Sequence, residues 1–205
     1  MNKQLKKMTG TALLMALVVV LQLLGGSIPP VGGFTISLVL IPSTMGISTI
    51  SLVLIPIVLG SALYGPRTGA LLGATFGVVV VIGCVTGTDV GGAMVFQANP
   101  ILCILVVLGK GILAGFASGL VYAFLKQKNS VLAMVLAAAV CPVVNTGTFI
   151  LCMATFFMDV LAVWAGGNVL GYILSGLILC NFVPELIINL LFSPAGQRIV
   201  HSLEK

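Results

Sequence analysis

Long apolar runs alternate with short polar, glycine-containing or proline-containing breaks along the whole chain. Each run approaches the roughly 20 residues that cross a bilayer core as an α-helix. The pattern predicts six transmembrane helices, at about residues 8–25, 47–63, 66–84, 100–125, 130–157 and 169–192. A transmembrane β-barrel would instead show short segments of alternating polar and apolar residues, and the sequence lacks that pattern. We therefore predict an all-α, polytopic membrane protein with a single domain over residues 1–205.

Composition excludes a soluble fold. Hydrophobic residues make up 60% of the 205 residues and charged residues only 6%, whereas a soluble domain has about 25% charged residues. The N-terminal segment superficially resembles a signal peptide. Its apolar run is long, however, and no convincing small-residue cleavage site closes it. We therefore interpret this segment as the first span.

The distribution of basic residues predicts the orientation. They occur before span one, between spans two and three, between spans four and five, and after span six: Lys3, Lys6, Lys7, Arg67, Lys126, Lys128, Arg198 and Lys205. The intervening loops contain Asp89 and Asp159 but no Lys or Arg. The positive-inside rule therefore predicts that the basic loops and both termini are cytoplasmic. The net charge of +5 belongs to these juxtamembrane segments and does not indicate a nucleic-acid partner.

The heptad ISLVLIP occurs twice, at residues 36–42 and 50–56. Fourteen additional residues are too few for another transmembrane hairpin, so the duplicate extends either the first outer loop or helix two. Pro42 and Gly46 favour a break between the copies. In that case the second copy belongs to span two and the first folds in or over the outer mouth. One long kinked helix and an artificial duplication are the alternatives.

Candidates for catalysis and metal binding are scarce. The four acidic residues are widely dispersed, and Gly109-Lys110-Gly111 lacks the upstream glycine and the following Ser or Thr of a Walker A motif. Five cysteines are scattered through apolar runs, and the single histidine, His201, lies in the polar tail. Neither pattern indicates a disulfide framework or a metal site. We predict a protein that is not an enzyme and uses no cofactor or metal.

Two ionisable residues fall inside predicted spans, where a charge is costly and commonly functional. Lys110 lies near the middle of span four, and Glu185 follows Pro184 in span six. Two interpretations stay open. The residues form a buried ion pair that joins the two helices, or the Lys110 ammonium binds a carboxylate of a solute.

Polar side chains in the outer half of the spans form a candidate binding pocket. In addition to Lys110, the predicted substrate-binding residues are Asn99, Asn145, Trp164, Asn168 and Asn181. An isolated Asn in a membrane helix often only bonds to a neighbouring helix, and Trp164 could equally be an interfacial anchor. Amides with an aromatic side chain nevertheless suit a small polar organic solute with a planar or apolar part.

Several segments resemble the substrate-binding S component of energy-coupling factor (ECF) transporters, the small six-helix subunits that capture vitamins. Ala12-Leu13-Leu14-Met15-Ala16 is similar to the family's AxxxA contact motif. The other resembling segments, in chain order, are VGGFTISLVLIP, IPIVLGSALYGPRTGALLGATFG, CPVVNTGTF and NFVPELIINLLFSPAGQRI. Together they cover essentially the whole chain. The duplicated heptad departs from the family pattern, in which one copy leads directly to IVLGSALYGP.

The resemblance implies a high-affinity capture subunit of an ATP-driven importer in a prokaryotic cell membrane. The implied partners are a membrane T component and two ATPases. Ala12 and Ala16 lie on one helical face, and in the family this face docks on the T component. Two glycine ladders with the same spacing, Gly69-Gly73-Gly77 and Gly111-Gly115-Gly119, we assign mostly to packing among the chain's own helices.

The resemblance does not name a substrate. Lys110 favours a solute with a carboxylate, pantothenate first and a folate-like compound second. Metal-type S components use an N-terminal histidine motif, and this chain begins MNKQLKK. The alternative function is a self-contained secondary transporter or channel for a small organic solute.

Overall fold

The computed structural model describes residues 3–25 and 52–204, and within these residues all regular secondary structure is helical. The helices are α1 (Lys3–Gly25), α2 (Leu54–Tyr64), α3 (Pro66–Thr86), α4 (Val90–Ala98), α5 (Pro100–Leu125), α6 (Ser130–Phe156), α7 (Met158–Ala165), α8 (Val169–Tyr172), a π-helical segment (Ile173–Phe182) and α9 (Val183–Glu204). The predicted all-α fold is confirmed.

Five helical stretches are long and apolar enough to cross a membrane: Gln4–Leu23, Pro66–Thr86, Pro100–Leu125, Ser130–Phe156 and Val169–Leu203. The apolar α2 has 11 residues, so its length of about 16 Å is roughly half of a bilayer core. These helices confirm a polytopic membrane protein. The count of six spans and the cytoplasmic location of both termini stay predictions.

The predicted continuous helix over residues 47–63 is wrong. Residues 52 and 53 form a turn, and the helix begins only at Leu54. Residues 47–51 lie outside the described residues, as does the whole first copy of the duplicated heptad. The last three residues of the second copy, Leu54 to Pro56, form the first turn of α2, so whether the duplicate extends the loop or the helix stays a prediction.

A tight turn at Gly65 joins α2 to α3. Gly65 has a φ of 94°, which an L-residue with a side chain rarely adopts, and its N–H donates to the Ser61 carbonyl at 3.0 Å. Pro66 follows at the first position of α3, where its missing N–H costs no helical hydrogen bond. The predicted turn at this position is confirmed.

Helices α3 and α5 pack with their backbones in direct contact. A Cβ built on Gly73 would fall on the carbonyl of Gly111, and one on Gly69 would fall on the carbonyl of Gly115. The reciprocal substitutions meet the same obstacle. Only glycine permits this approach, which favours helix association in lipid through van der Waals contact. The assignment of both ladders to internal packing is confirmed.

The chain between the long helices is more helical than the sequence predicts. Two short helices, α4 and α7, occupy the connections that were predicted as loops. The last predicted span, 169–192, was also drawn too short, because helix continues to Glu204 and includes Arg198. Helices of eight or nine residues give too few repeats for a periodic pattern, and a helical tail that follows an apolar span has no hydropathy boundary of its own.

Buried side chains form two clusters. The first, which we call the glycine-packed half, includes Leu54, Ile57, Leu72, Tyr122 and Met134. The second, the pocket half, includes Cys84, Val95, Cys103, Met153 and Leu161. The connections 87–99 and 157–168 adjoin the pocket half, and the turn at Gly65 adjoins the glycine-packed half.

Candidate functional site

A pocket opens in the pocket half among α3, α4, α5, α6, α7 and the π-helical segment. The volume open to the centre of a water-sized sphere is about 60 Å³, which is smaller than the roughly 300–1,000 Å³ of typical small-molecule sites. Apolar side chains and a few polar ones line the pocket, and the polar residues are Asp89, Lys110, Asn145, Thr146, Trp164 and Asn181.

Lys110 enters this pocket from α5, one residue before the glycine that contacts Gly73. Its Nζ lies 4.7 Å from the centroid of the Phe149 ring and 5.8 Å from that of Phe76. Aromatic faces attract an ammonium without neutralising it. The Lys110 nitrogen is therefore held beside the pocket between two aromatic rings.

Two carboxylates also attract Lys110, and buried Glu185 acts more strongly than Asp89. Asp89 lines the pocket with Lys110, whereas Glu185 is not among the pocket-lining residues of the described chain. The geometry is thus compatible with both interpretations of Lys110, as a partner of Glu185 and as a group that binds a solute.

Three buried polar atoms that line the pocket have no hydrogen-bond partner among the described residues. They are Asn145 Oδ1, Thr146 Oγ1 and Asn181 Oδ1. Leaving such an atom unsatisfied costs about 1–3 kcal/mol, so folded proteins normally supply a partner. Gln197 Oε1 is also buried without a hydrogen-bond partner among the described residues, but it does not line this pocket. Hydroxyl or amide groups of a bound solute could satisfy the three atoms together.

The local sequence explains why α6 and the π-helical segment are irregular near Asn145 and Asn181. Pro142 interrupts the hydrogen bonding of α6 one turn before Asn145 and Thr146. Asn181 lies near the end of the π-helical segment, three residues before Pro184 in the first turn of α9. π-helical turns inside α-helices occur frequently at functional sites. Both polar positions therefore coincide with irregular stretches of helix.

The short helices α4 and α7 cover one side of the pocket. Trp164 Nε1 on α7 donates to the sulfur of Met94 on α4 at 3.4 Å, and the Trp164 ring lies 6.4 Å from that of Tyr172. The Trp164 side chain is only 6% exposed, which is more typical of a pocket wall than of an interfacial anchor. Its polar and apolar parts are both engaged within the protein.

Asn99 and Asn168 do not join this pocket. Each is an exposed N-cap: Asn99 Oδ1 accepts from the N–H of Leu102 at 3.1 Å, and Asn168 Oδ1 accepts from that of Gly171 at 3.0 Å. Asn is among the preferred residues at helix N-termini. The sequence Asn99-Pro100 carried this signal, because proline is favoured at the first helical position that follows a cap.

Several lining residues were missed as site candidates from the sequence. Asp89 was noted only as an outer-loop acid, and Thr146 and Phe149 follow Asn145 on α6. Cys84 and Cys103, which the sequence presents as scattered apolar residues, also line the pocket. The only available signal was the position of Thr146 beside a candidate residue, since the other contacts depend on how separate helices pack.

Ala12 and Ala16 lie on the exposed face of α1. Leu13, on the same face, is 72% exposed, whereas Val18 on the opposite face is fully buried in the glycine-packed half. α1 therefore has one face that packs on the rest of the chain and one that is open to lipid or to another helix. Small residues on the open face would permit close approach of a partner.

The sequence matches the family model of the substrate-specific component of ECF transporters over residues 6–195. The match includes most of α1, every pocket-lining residue and most of α9. A search of the curated proteins finds no match.

Proposed function

The chain belongs to the substrate-specific components of ECF transporters, and we propose that its pocket captures a carboxylated vitamin or cofactor precursor. Pantothenate is the first candidate and a folate-like compound the second. Membership of the family makes the protein a substrate-capture transport subunit. The observation that carries the proposed substrate class is the Lys110 ammonium, which lies beside three unsatisfied buried polar atoms.

In this proposal the solute carboxylate accepts hydrogen bonds from the Lys110 ammonium. A charge-assisted hydrogen bond in a shielded site is about twice as strong as a neutral one. Asn145, Thr146 and Asn181 meet the polar groups in the remainder of the solute, and Trp164 and Phe149 contact its apolar parts. Asn99 and Asn168 have no role in this arrangement, because their side chains cap helices outside the pocket.

The proposed direction of capture is from outside the cell. Arg67, at the start of α3, and Lys126 and Lys128, between α5 and α6, lie at the end of the bundle opposite to the connections that carry α4 and α7. The positive-inside rule supports a cytoplasmic location for that basic end, with both chain termini on the same side and six spans in all. Uptake then requires an energising module, a membrane T component with two ATPases, to which α1 docks through Ala12 and Ala16.

A thermal-shift screen of the purified chain in detergent against a vitamin panel tests the substrate class. A ligand that binds only the folded state stabilises it by RT ln(1 + [L]/Kd). We expect the largest rise in melting temperature with pantothenate. If pantothenate causes no rise, we expect one with folic acid. A clear rise with an uncharged vitamin, and none with any carboxylate, would contradict the role of Lys110.

Copurification tests the partnership separately. Coexpression with a T component and two ATPases is expected to yield a stable complex whose vitamin uptake depends on ATP hydrolysis. ATP-independent uptake by this chain alone in proteoliposomes would contradict the proposal and favour a self-contained secondary transporter.

A further inference from the structure

We infer that Asp89 determines specificity in this pocket by accepting a hydrogen bond from a hydroxyl, amide or ammonium group of the solute. The inference rests on the proposed function, because it assumes that the pocket binds a solute whose carboxylate pairs with Lys110. It adds that the solute carries hydrogen-bond donors as well as its carboxylate. A compound with a carboxylate on an otherwise apolar body would then bind poorly.

The position of Asp89 supports this role. Asp89 is the N-cap of the nine-residue α4, and its Oδ1 accepts from the N–H of Gly92 at 2.9 Å. This hydrogen bond uses one of the two carboxylate oxygens. The side chain lines the same pocket as Lys110 and is partly buried. One carboxylate oxygen thus fixes the side chain to α4, which leaves the second able to bind a solute.

The charges around the pocket support the same role for Asp89. Among the described residues that line it, Lys110 is the one cation and Asp89 the one carboxylate. A solute that offered only a carboxylate would therefore place a second negative charge near Asp89. Hydrogen-bond donors on the solute offset the repulsion at Asp89 and turn an unfavourable contact into a charge-assisted hydrogen bond.

The other polar atoms give the pocket a surplus of acceptors. Asn145 Oδ1 and Asn181 Oδ1 accept only, and Thr146 Oγ1 can accept or donate. An Asn amide can turn over and present its NH₂ group instead, and the two orientations are hard to distinguish. A carboxylate has no such alternative. Asp89 can therefore only accept a hydrogen bond from the solute, whichever way the amides of Asn145 and Asn181 are turned.

The closing experiment pairs one protein substitution with one ligand substitution. Asp89→Asn removes the charge but keeps the capping oxygen, since Asn is as good an N-cap as Asp. The probes are pantothenate and N-(3,3-dimethylbutanoyl)-β-alanine, which keeps the carboxylate, the amide and the two methyl groups but lacks the hydroxyls. Dissociation constants of both probes are measured by calorimetry for the wild type and for Asp89→Asn. Melting temperatures without ligand verify that the variant folds as the wild type does.

We expect the wild type to bind pantothenate at least about tenfold more tightly than N-(3,3-dimethylbutanoyl)-β-alanine. Asp89→Asn should weaken pantothenate binding about tenfold and leave binding of the analogue unchanged or improved, since the analogue has less to donate to Asp89. If Asp89→Asn binds pantothenate as tightly as the wild type or more tightly, Asp89 only competes for Lys110 and the inference is wrong. That outcome leaves the proposed function intact.

Failure of the proposed function has a different signature. A wild-type chain that binds neither pantothenate nor folic acid overturns the carboxylated substrate class and, with it, the inference about Asp89. If folic acid is the probe that binds, the same comparison uses folic acid with the wild type and Asp89→Asn. Weaker binding to the variant is again the supporting result, and unchanged binding the contradicting one.

Discussion

Two buried hydroxyls in the glycine-packed half and two buried polar atoms in the pocket half differ in their hydrogen bonding. In the glycine-packed half, Ser118 Oγ donates to the Ala137 carbonyl at 3.0 Å, and Ser61 Oγ donates to that of Val58 at 2.8 Å. In the pocket half, Asn145 Oδ1 and Thr146 Oγ1 are just as buried and have no hydrogen-bond partner among the described residues. The two serine hydroxyls are satisfied within the protein, whereas we propose that a solute supplies the partners of Asn145 and Thr146.

The same pair of helices contributes to both halves. Along Gly69 to Gly77 of α3, the backbone of α5 lies in direct contact. Further along, Cys84 of α3 and Cys103 of α5 line the pocket. Lys110 lies between the two regions, next to Gly111. A rigid contact therefore holds the cation in place, which limits the conformational entropy lost when a solute binds.

The largest expected effect is on the glycine contact. A Cβ on Gly111 would fall on the carbonyl of Gly73, whereas a Cβ on Gly109 meets nothing within 4 Å. We expect Gly111→Ala to destabilise the fold by about 2 kcal/mol or more, in the range of overpacking. The matched Gly109→Ala should stabilise the same helix by about 0.5–1 kcal/mol. Thermal unfolding in detergent measures both, and equal effects would show that the contact is looser than described.

Docking on the energising module should depend on α1 alone. We expect Ala12→Trp or Ala16→Trp to abolish complex formation and uptake and to leave solute affinity within about twofold, since a bulky ring holds the partner helix away. Leu151→Trp, at a 66% exposed position of α6, is the control. Pull-down with the T component is the measurement. A double variant, Ala12→Trp with Ala16→Trp, that still copurifies with the module would contradict the assignment of this face.

Removing the Lys110 charge separates its two interpretations. If the ammonium binds the solute carboxylate, Lys110→Met should weaken pantothenate binding about 100-fold, and the melting temperature without ligand should change little. If the ammonium mainly pairs with Glu185, the same change should destabilise the fold, because a buried charge loses its partner. Lys110→Met combined with Glu185→Leu would then restore part of the stability. Calorimetric titration and thermal unfolding together distinguish the two results.

Hydropathy predicted the long helices well because lipid imposes one requirement on all of them. Each must be apolar over about 20 residues and must form its backbone hydrogen bonds within the helix. α5, at residues 100–125, and the helix that begins at Ser130 match the predicted spans closely. The same reasoning failed for α4 and α7, since a nine- or eight-residue helix between spans is stabilised by packing on its neighbours and leaves no hydropathy signal.

The candidate site was predictable only in part. Lys110, Asn145, Trp164 and Asn181 were singled out because polar residues in apolar helices stand out, and all four line the pocket. The sequence could not distinguish them from Asn99, because capping and solute binding use the same side-chain oxygen. Nor could it bring Asp89 and Thr146 to one cavity, since that depends on the packing of α4 against α6 and α7.

The most direct test of the contrast between the halves replaces one polar residue in each half with an apolar one. Thermal unfolding with and without saturating pantothenate is measured for Asn145→Leu and for Ser118→Ala. We expect Asn145→Leu to melt at the wild-type temperature or higher without ligand, because it removes an unsatisfied buried oxygen, and to lose the ligand-induced rise. Ser118→Ala should lower the melting temperature by a few degrees, as the loss of about 1 kcal/mol predicts, and keep the rise. A destabilised Asn145→Leu that still responds to pantothenate would contradict the account.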